Sequence, residues 1–428
     1  MAEPDAQCTS QAGDDILRPY LSLDAPRLVL DLRPDAAFHR EHLVQSYHIA
    51  PVSELKSRYS YLPPRNVPFL VLADALQRDD VIEAFATISS ARIVLVGDEL
   101  AYDQGAAPTG GVRLCSSTAF FDSARQLGLV RSSTTHQQRI AADDKQDVPT
   151  PLFRPSNAVR RTVLQLEATP QVDLSPRRVL DLGCGAARDL AWILHGSRTR
   201  SAAASSRVAW TGVAIDNWKA ALRRAEQLMD DLHLDPSASQ PQPSTQSSPA
   251  CEKLLWAKCT DTGELEPLVG TGKGRSIRSA AEDADLWNEY VQVGLEPLLP
   301  SVKELDKDSP HAQFDLILCV RFHPRALLPR LDRLVRPGGV ILLSHFVTLS
   351  DAERDAAARA HPHATLDYDS PPHKGRIQPG EAEALVDAWN RSPDSLHTWT
   401  VADSVLEPIE DGRIIKSVAL CKTRRASA

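Results

Sequence analysis

The run RRVLDLGCGAARDLAWIL, residues 177–194, holds the residues of this chain best suited to chemistry. An apolar stretch enters a turn through Gly183 and Gly185 and leaves it as a helix. Glycines at such a turn let the backbone come close to a ligand, and the helix start adds free N–H groups. Two acids end apolar stretches downstream: Asp216 closes VAWTGVAID and Asp261 closes LLWAKCTD. A carboxylate at position 216 can accept hydrogen bonds from two hydroxyls, or it can cap the helix NWKAALRRA that follows. After the apolar run FDLILCV comes RFHPRALLP. There Arg321 is suited to an anionic group and His323 to taking a proton near neutral pH, although both could simply face solvent on a loop. His345, ending VILLSHF, is a second base of the same kind.

The glycine spacing separates two cofactor classes. A dinucleotide loop of the form G-x-G-x-x-G uses its third glycine for close helix–strand packing, and Arg188 stands in that place. The row resembles instead motif I of the class I S-adenosylmethionine-dependent methyltransferases, whose acid-x-Gly-x-Gly pattern is met by Asp181-Leu182-Gly183-Cys184-Gly185. That resemblance implies S-adenosylmethionine as the cofactor. It implies Asp181 at the cationic amino-acid end and Gly183, Cys184 and Gly185 as the cradle. It also implies Asp216, with Asn217 beside it, at the ribose hydroxyls, and Asp261 at the adenine. LVRPGGVILLSHF resembles the helix–Pro-Gly-Gly–strand passage near the family's fifth strand, with Pro337, Gly338 and Gly339 as the reversal. GCGAARD further resembles the tellurite-resistance and thiopurine type through Arg188 and Asp189, which implies a small thiol or chalcogen as methyl acceptor. A salt bridge on the first helical turn accounts for those two residues equally well. RFHPRALLP has neither the Asn/Asp-Pro-Pro-Tyr/Phe box of amide and adenine methylation nor a Pro-Cys nucleophile.

These residues must be positioned by a larger frame. At 428 residues the chain exceeds one ordinary core, which predicts two domains. Residues 1–16 read as a polar tail, 17–130 as a first α/β domain, 131–152 as a linker and 153–425 as a second α/β domain with a low-complexity Ser/Pro/Gln insert at 235–250. In the second domain the pattern predicts a helix over 156–168 and strands over 178–182, 208–216, 254–261, 314–320 and 340–346. It predicts helices over 217–232, 326–335 and 380–390, a further helix around AEDADLWNEYV, and an antiparallel C-terminal hairpin. The expected fold is a Rossmann-like methyltransferase sheet ending in that hairpin.

In the first domain, RLVLDL and PFLVLAD read as buried strands, and RIVLVGD as another after the helix DDVIEAFATI. LVLDLRPDAAFHREHLVQSYHIAPVSEL resembles the opening of a rhodanese-like domain through Asp31, Arg33, Phe38, His42 and Ile49, with Glu41 in place of a glycine. Such domains carry sulfur on a cysteine after the next buried strand. Ala73 stands there, with Arg78 five positions on, and no cysteine occurs between Cys8 and Cys115. The resemblance therefore implies a catalytically silent rhodanese-like domain, suited to binding a protein partner or to shaping its neighbour.

Composition narrows the remaining choices. A net charge of −8 with interspersed signs gives no basic stripe for nucleic acid, and the basic end KTRR reads as solvated. The seven cysteines have no CxxC pair, so no zinc site is expected, and their scatter fits a reducing compartment. No apolar run approaches the roughly 20 residues of a membrane span, and the amino terminus has no signal-peptide pattern. A cytoplasmic location is the expectation. Against a working methyltransferase stand a non-catalytic scaffold built on the same two folds and, disfavoured by Arg188, a nicotinamide-dependent oxidoreductase.

Overall fold

The computed structural model describes residues 16–97, 112–132, 148–169, 175–201, 209–234, 250–263, 265–268, 314–391 and 397–425. The chain divides into two compact units between Arg154 and Pro155. Most of the insert, 235–249, and the expected helix around AEDADLWNEYV lie outside the described residues.

The N-terminal unit is built on a five-stranded sheet whose paired strands are all parallel. It contains β1 (Val29–Asp31), α1 (Asp35–Arg40), β2 (Glu41–Leu43), β3 (Tyr47–His48), β4 (Phe69–Asp74), α2 (Arg78–Phe85), β5 (Ala91–Gly97), β6 (Val112–Ser116), α3 (Ser117–Gln126) and β7 (Val130–Ser132). The sheet order is β3-β1-β4-β5-β6. Its central strand β4, FLVLAD, is buried from Phe69 to Ala73, as a parallel strand covered on both faces must be. The linker expected over 131–152 is shorter at both ends. Residues 130–132 form β7, antiparallel to β2, and the Thr150 amide donates to the Gln45 carbonyl at 3.0 Å, with Leu152 buried. A three-residue polar strand held by backbone bonds has no apolar alternation by which to be recognised.

Asp31 and Arg33, matched in the sequence to a family pattern, form a buried clamp. The guanidinium donates through Nε to Asp31 Oδ1 at 3.0 Å and through Nη2 to Oδ2 at 2.7 Å and to the Glu41 carbonyl at 2.8 Å. It also lies 4.5 Å from the Phe121 ring centroid. Bidentate geometry with a full set of partners lets a charge pair be buried. Phe38 is stacked between His42 and His48, with ring centroids at 4.2 and 4.1 Å.

The C-terminal unit holds a mixed sheet in the order β11-β10-β9-β8-β12-β13-β15-β14. Its elements are α4 (Asn157–Ala168), β8 (Arg177–Leu182), α5 (Arg188–Ser201), β9 (Trp210–Asp216), α6 (Lys219–Asp231), β10 (Ala250–Cys259), β11 (Leu265–Pro267), β12 (Phe314–Val320), β13 (Val335–Phe346), α7 (Asp351–Ala360), α8 (Glu381–Asn390), β14 (His397–Pro408) and β15 (Ile414–Arg424). Strands β8, β9, β10, β12 and β13 run parallel, and β15 is antiparallel to both β13 and β14. The expected C-terminal hairpin is thus present, with its second strand inserted next to β13. From β8 the chain builds the sheet outward to β9 and β10, then returns to the other side of β8 with β12. The ends of β8 and β12 are therefore a topological switch point, where loops diverge and leave a crevice.

Two expectations are corrected here. The helix over 326–335 is a 3-10 turn, Leu328–Leu334, with Pro329 in its first positions. Pro329 bars a regular α-helix that enters from residue 326, because it has no N–H to bond back one turn; in the first positions of the observed turn that N–H is not needed. The Pro-Gly-Gly passage is no break between elements either: Pro337, Gly338 and Gly339 lie inside β13 as a bulge. The register steps from Phe314↔Val335 to Leu316↔Val340, with Gly338 at φ +87°. An added Cβ at Gly339 would stand 3.0 Å from the Asp315 carbonyl oxygen, so the two strands can close around the bulge only with glycine there. Asp315 itself lies in the core, 3.2 Å from Arg177 of β8 and also paired with Arg336.

Candidate cofactor and acceptor site

The glycine loop sits at the switch point. After Asp181 the backbone turns through Gly183 (φ +70°), Gly185 (φ +57°) and Ala187 (φ +51°) into α5. The Gly183 and Cys184 amides both donate to the Ile215 carbonyl, at 2.8 and 3.1 Å, which ties the loop to the end of β9. Gly183 is required twice. Its φ lies in the left-handed region, and a Cβ there would stand 2.4 Å from Cγ of Phe322, whose ring covers it. At Gly185 a Cβ would meet nothing within 4 Å, so this glycine faces open space rather than protein.

The acids converge on this loop. Asp181 is buried at the end of β8, and among the described residues no donor reaches its carboxylate. Burial pushes its pKa well up from the ordinary value, and the nearby carboxylates of Asp189 and Asp216 push it further. Asp189, on the first turn of α5, is also raised by burial, while the Ser156 amide donates to its Oδ1 at 2.8 Å and lowers it in part. Asp189 thereby fastens the start of α4 to the start of α5. Asp216 accepts from the Gly185 amide through Oδ2 and from the Trp218 amide through Oδ1, both at 2.7 Å. Each oxygen keeps a second lone pair, so the carboxylate closes a tight turn ahead of α6, whose N-cap is Trp218, and can still receive hydroxyl groups. Cys184 keeps its proton: burial, then the carboxylates of Asp181 and Asp216, raise it well above the ordinary thiol value. A cluster of carboxylates around a buried cradle, one of them without a donor, suits a compact cation better than a phosphate.

Asn217 and Trp218 extend the site beyond β9. The Asn217 carbonyl accepts from Trp256 Nε1 at 3.1 Å, and Trp218 is 58% exposed, with Arg224 stacked 4.7 Å from its ring centroid. Asp261 is not at a strand end as expected. β10 stops at Cys259, and Asp261 lies exposed in the turn Thr260–Gly263, where Gly263 packs under Ala326.

Arg321 and His323, two residues apart, are taken in different directions. Arg321 occupies a left-handed conformation (φ +56°), with its amide donating to the Ser344 carbonyl at 2.6 Å. Its exposed guanidinium reaches Glu410, in the turn between β14 and β15, at 2.5 Å. The His323 side chain is buried, with Nε2 3.3 Å from Oε1 of Glu381 at the start of α8. Arg325 grips the same carboxylate, Nε to Oε1 at 2.6 Å and Nη2 to Oε2 at 3.1 Å. Burial alone would raise Glu381, but hydrogen bonds from His323, Arg325 and the Gln378 amide outweigh it and hold its pKa at about 2. His345 stacks obliquely on His323, centroids 5.8 Å apart, and its Nδ1 is buried without a partner. Burial, with the charge of His323, lowers its pKa to about 4, so this ring is neutral.

Sequence reasoning missed Glu381, Arg325, Glu410 and Trp218. The signal for Glu381 was its place just after Gly380 at a helix start. Nothing local ties it to a histidine 58 residues earlier in the chain. Among the described residues no group of three His, Cys, Asp or Glu side chains is placed to hold a metal ion. None of the helices there is long and apolar enough to cross a membrane.

Comparisons place the chain among known proteins only loosely. No family model matches it. An uncharacterized protein of Schizosaccharomyces pombe, UNK4.09, is 27% identical over 209 residues, 49% of this chain. The chain thus spans about half the length of the curated relative it matches, 48% of that protein. Among solved structures, a SAM-dependent methyltransferase of Aquifex aeolicus aligns with 61% of this chain and 88% of its own, at 12% identity and a TM-score of 0.27. A SAM-dependent methyltransferase of Thiobacillus denitrificans, solved with S-adenosyl-L-homocysteine, aligns with 63% of this chain and 92% of its own, at 11% identity and a TM-score of 0.32.

Proposed function

We propose that the C-terminal unit transfers a methyl group from S-adenosylmethionine to a small-molecule acceptor. The observation that carries this reading is Asp181: a buried carboxylate, unmet by any donor among the described residues, in a glycine cradle at the switch point. S-adenosylmethionine, when bound, supplies an electrophilic methyl group on a sulfonium. Asp181 faces its ammonium end, Gly183 to Gly185 give the backbone cradle, and Asp216 with Asn217 receives the ribose hydroxyls. Trp218 offers an aromatic face for the adenine, with Asp261 at the rim.

The acceptor side uses the residues after β12. Methyl transfer is an in-line displacement, so positioning dominates, and a base is needed only where the acceptor must lose a proton. Ionised Glu381 holds the Nε2–H of His323, which leaves Nδ1 as the nitrogen that takes the proton from a thiol or hydroxyl acceptor. Arg321, through Glu410, braces the hairpin turn beside the cradle, and it binds an anionic acceptor only by exchanging that partner. A small thiol or chalcogen compound is the first acceptor class to screen. The N-terminal unit is read as a rhodanese-like fold without its nucleophile, since buried Ala73 stands at the end of β4 where the sulfur carrier would be. Its role in this reading is to bind a protein partner, in a cytoplasmic setting.

Calorimetric titration of the full chain with S-adenosylmethionine and with NADH tests the assignment. Micromolar binding of S-adenosylmethionine alone, lost in Asp216→Ala, is expected. No binding of either cofactor would leave the scaffold reading in its place.

A further inference from the structure

Between β13 and α8 the chain makes an excursion, residues 347–376, whose two ends are tied together. The Thr348 amide donates to the Ile377 carbonyl and the Ile377 amide to the Phe346 carbonyl, both at 2.9 Å. The excursion lines a partly open cavity of about 140 Å³ at the carboxyl end of β13. Arg325, two residues beyond His323, reaches its base and donates to the Lys374 and Arg376 carbonyls at 2.5 and 2.7 Å. The cavity therefore adjoins the end of β13, which carries His345, and the loop after β12, which carries His323.

One buried cation there has no carboxylate in contact with it among the described residues. Arg376 is 4% exposed, yet among the described residues it has no carboxylate partner. Its Nε donates to the Pro371 carbonyl at 2.8 Å, its Nη2 to the Tyr368 carbonyl, and its guanidinium lies 4.4 Å from the Tyr368 ring centroid. No acceptor for Nη1 is found among those residues. The other cation of the lining, Arg354, is neutralised by Asp367, with Nη1 at 2.8 and 2.9 Å from its two oxygens. Asp369 lies on the rim, exposed and unpaired with Arg376. Buried charges are ordinarily paired, because carbonyls and a ring face replace only part of the lost hydration. Thr348 and His373, 3.4 Å apart through Oγ1 and Nδ1, add polar groups beside Arg376, while Leu349 and Leu366 give the cavity an apolar side.

We propose that this cavity binds the carboxylate of the methyl acceptor, with Arg376 as its counterion and Thr348 and His373 as hydrogen-bonding partners. One guanidinium free of a contacting carboxylate, with Asp367 and Asp369 in the same lining, favours a monoanion over a phosphate dianion, and the apolar side accommodates a short carbon chain. Recognition of a carboxylate stands on this cavity, with Arg376 as its charge, and not on the methyl-transfer reading. Its link to methyl transfer rests on the function proposed above.

The test is an NMR titration of the full chain with sodium propionate, beside propionamide and inorganic phosphate, with S-adenosylmethionine binding measured on the same samples. Propionate is expected to bind saturably and more tightly than either comparison compound. Arg376→Gln should weaken it about ten-fold or more, as the loss of a charge-assisted contact does. Thr348→Val, which keeps the shape and leaves Arg376 in place, should weaken it about five-fold and serves if the arginine variant does not fold. Propionate binding no better than propionamide, tighter binding of phosphate, or unchanged affinity in a folded variant would overturn the proposal. If S-adenosylmethionine binds and propionate does not, the carboxylate site fails and the methyltransferase reading stands. If propionate binds and S-adenosylmethionine does not, the site stands and that reading fails.

Discussion

Replacing Gly183 by alanine tests the geometry of the cradle most directly. Two separable costs arise. An L-residue held at φ +70° costs about 1–2 kcal/mol. The new methyl group, 2.4 Å from Cγ of Phe322, forces the ring or the loop to move, and such overpacking costs about 1–3 kcal/mol. Together they predict a loss of about 2–5 kcal/mol in urea unfolding of the C-terminal unit. Adding Phe322→Ala removes the clash and leaves the backbone strain. The double variant should therefore recover about 1–3 kcal/mol relative to additivity. Gly185→Ala is the contrasting case. It carries only the strain of φ +57°, about 1–2 kcal/mol, because nothing stands within 4 Å, but its methyl group enters the space assigned to the cofactor. Cofactor affinity should then fall further than stability does. If Gly183→Ala unfolds within about 0.5 kcal/mol of the parent, or if the cycle with Phe322 is additive, the close approach of ring and loop is refuted.

Asp181→Asn should raise the thermal midpoint of the cofactor-free protein at neutral pH, because its folded-state pKa is raised and the charged form is the disfavoured one. The same change should weaken S-adenosylmethionine about 10- to 100-fold in calorimetry through loss of a charge-assisted contact; a loss of stability with unchanged affinity would contradict both assignments. His345, lowered from 6.5 to about 4, contributes stability that is fully present above pH 6.5 and lost as the pH falls from there through 4. Urea titrations across that window should show about 3 kcal/mol of pH dependence that His345→Gln abolishes. Glu381, depressed to about 2, adds a second loss between about pH 4.5 and 2, which Glu381→Gln removes. Asp315→Ala should cost about 3–5 kcal/mol, since Arg177 would be left in the core without its carboxylate; a near-neutral effect by chemical denaturation would show that the pair contributes little.

Some of the site was legible along the chain because its determinants are local. A strand, two glycines and a helix within 18 residues announce a ligand loop. A carboxylate at the end of an apolar run announces a strand end whatever the sheet does around it. The long buried runs at 69–73 and 314–319 are recognisable for the same reason, since a central parallel strand is apolar on both faces. The absence of a thiol at Ala73 is likewise a matter of residue identity, and folding cannot change it.

Other features depend on partners far away in the chain. Whether LVRPGG is a helix end or a strand bulge turned on Pro329 and on the approach of the Asp315 carbonyl to Gly339, which the apolar spacing of the leucines does not encode. The pairing of His323 with Glu381, of Arg321 with Glu410 and of Asp315 with both Arg177 and Arg336 joins residues that only the sheet order brings together. The setting of Arg376 is a tertiary fact as well. Arginine is an ordinary surface residue in the text, and it becomes a candidate anion site only because the excursion buries it with none of the described carboxylates in contact. Residue type and short-range spacing determined the kind of chemistry at the loop. Burial and long-range pairing decided which charges are left unsatisfied there, because desolvation is set by every atom nearby and not by neighbours in sequence.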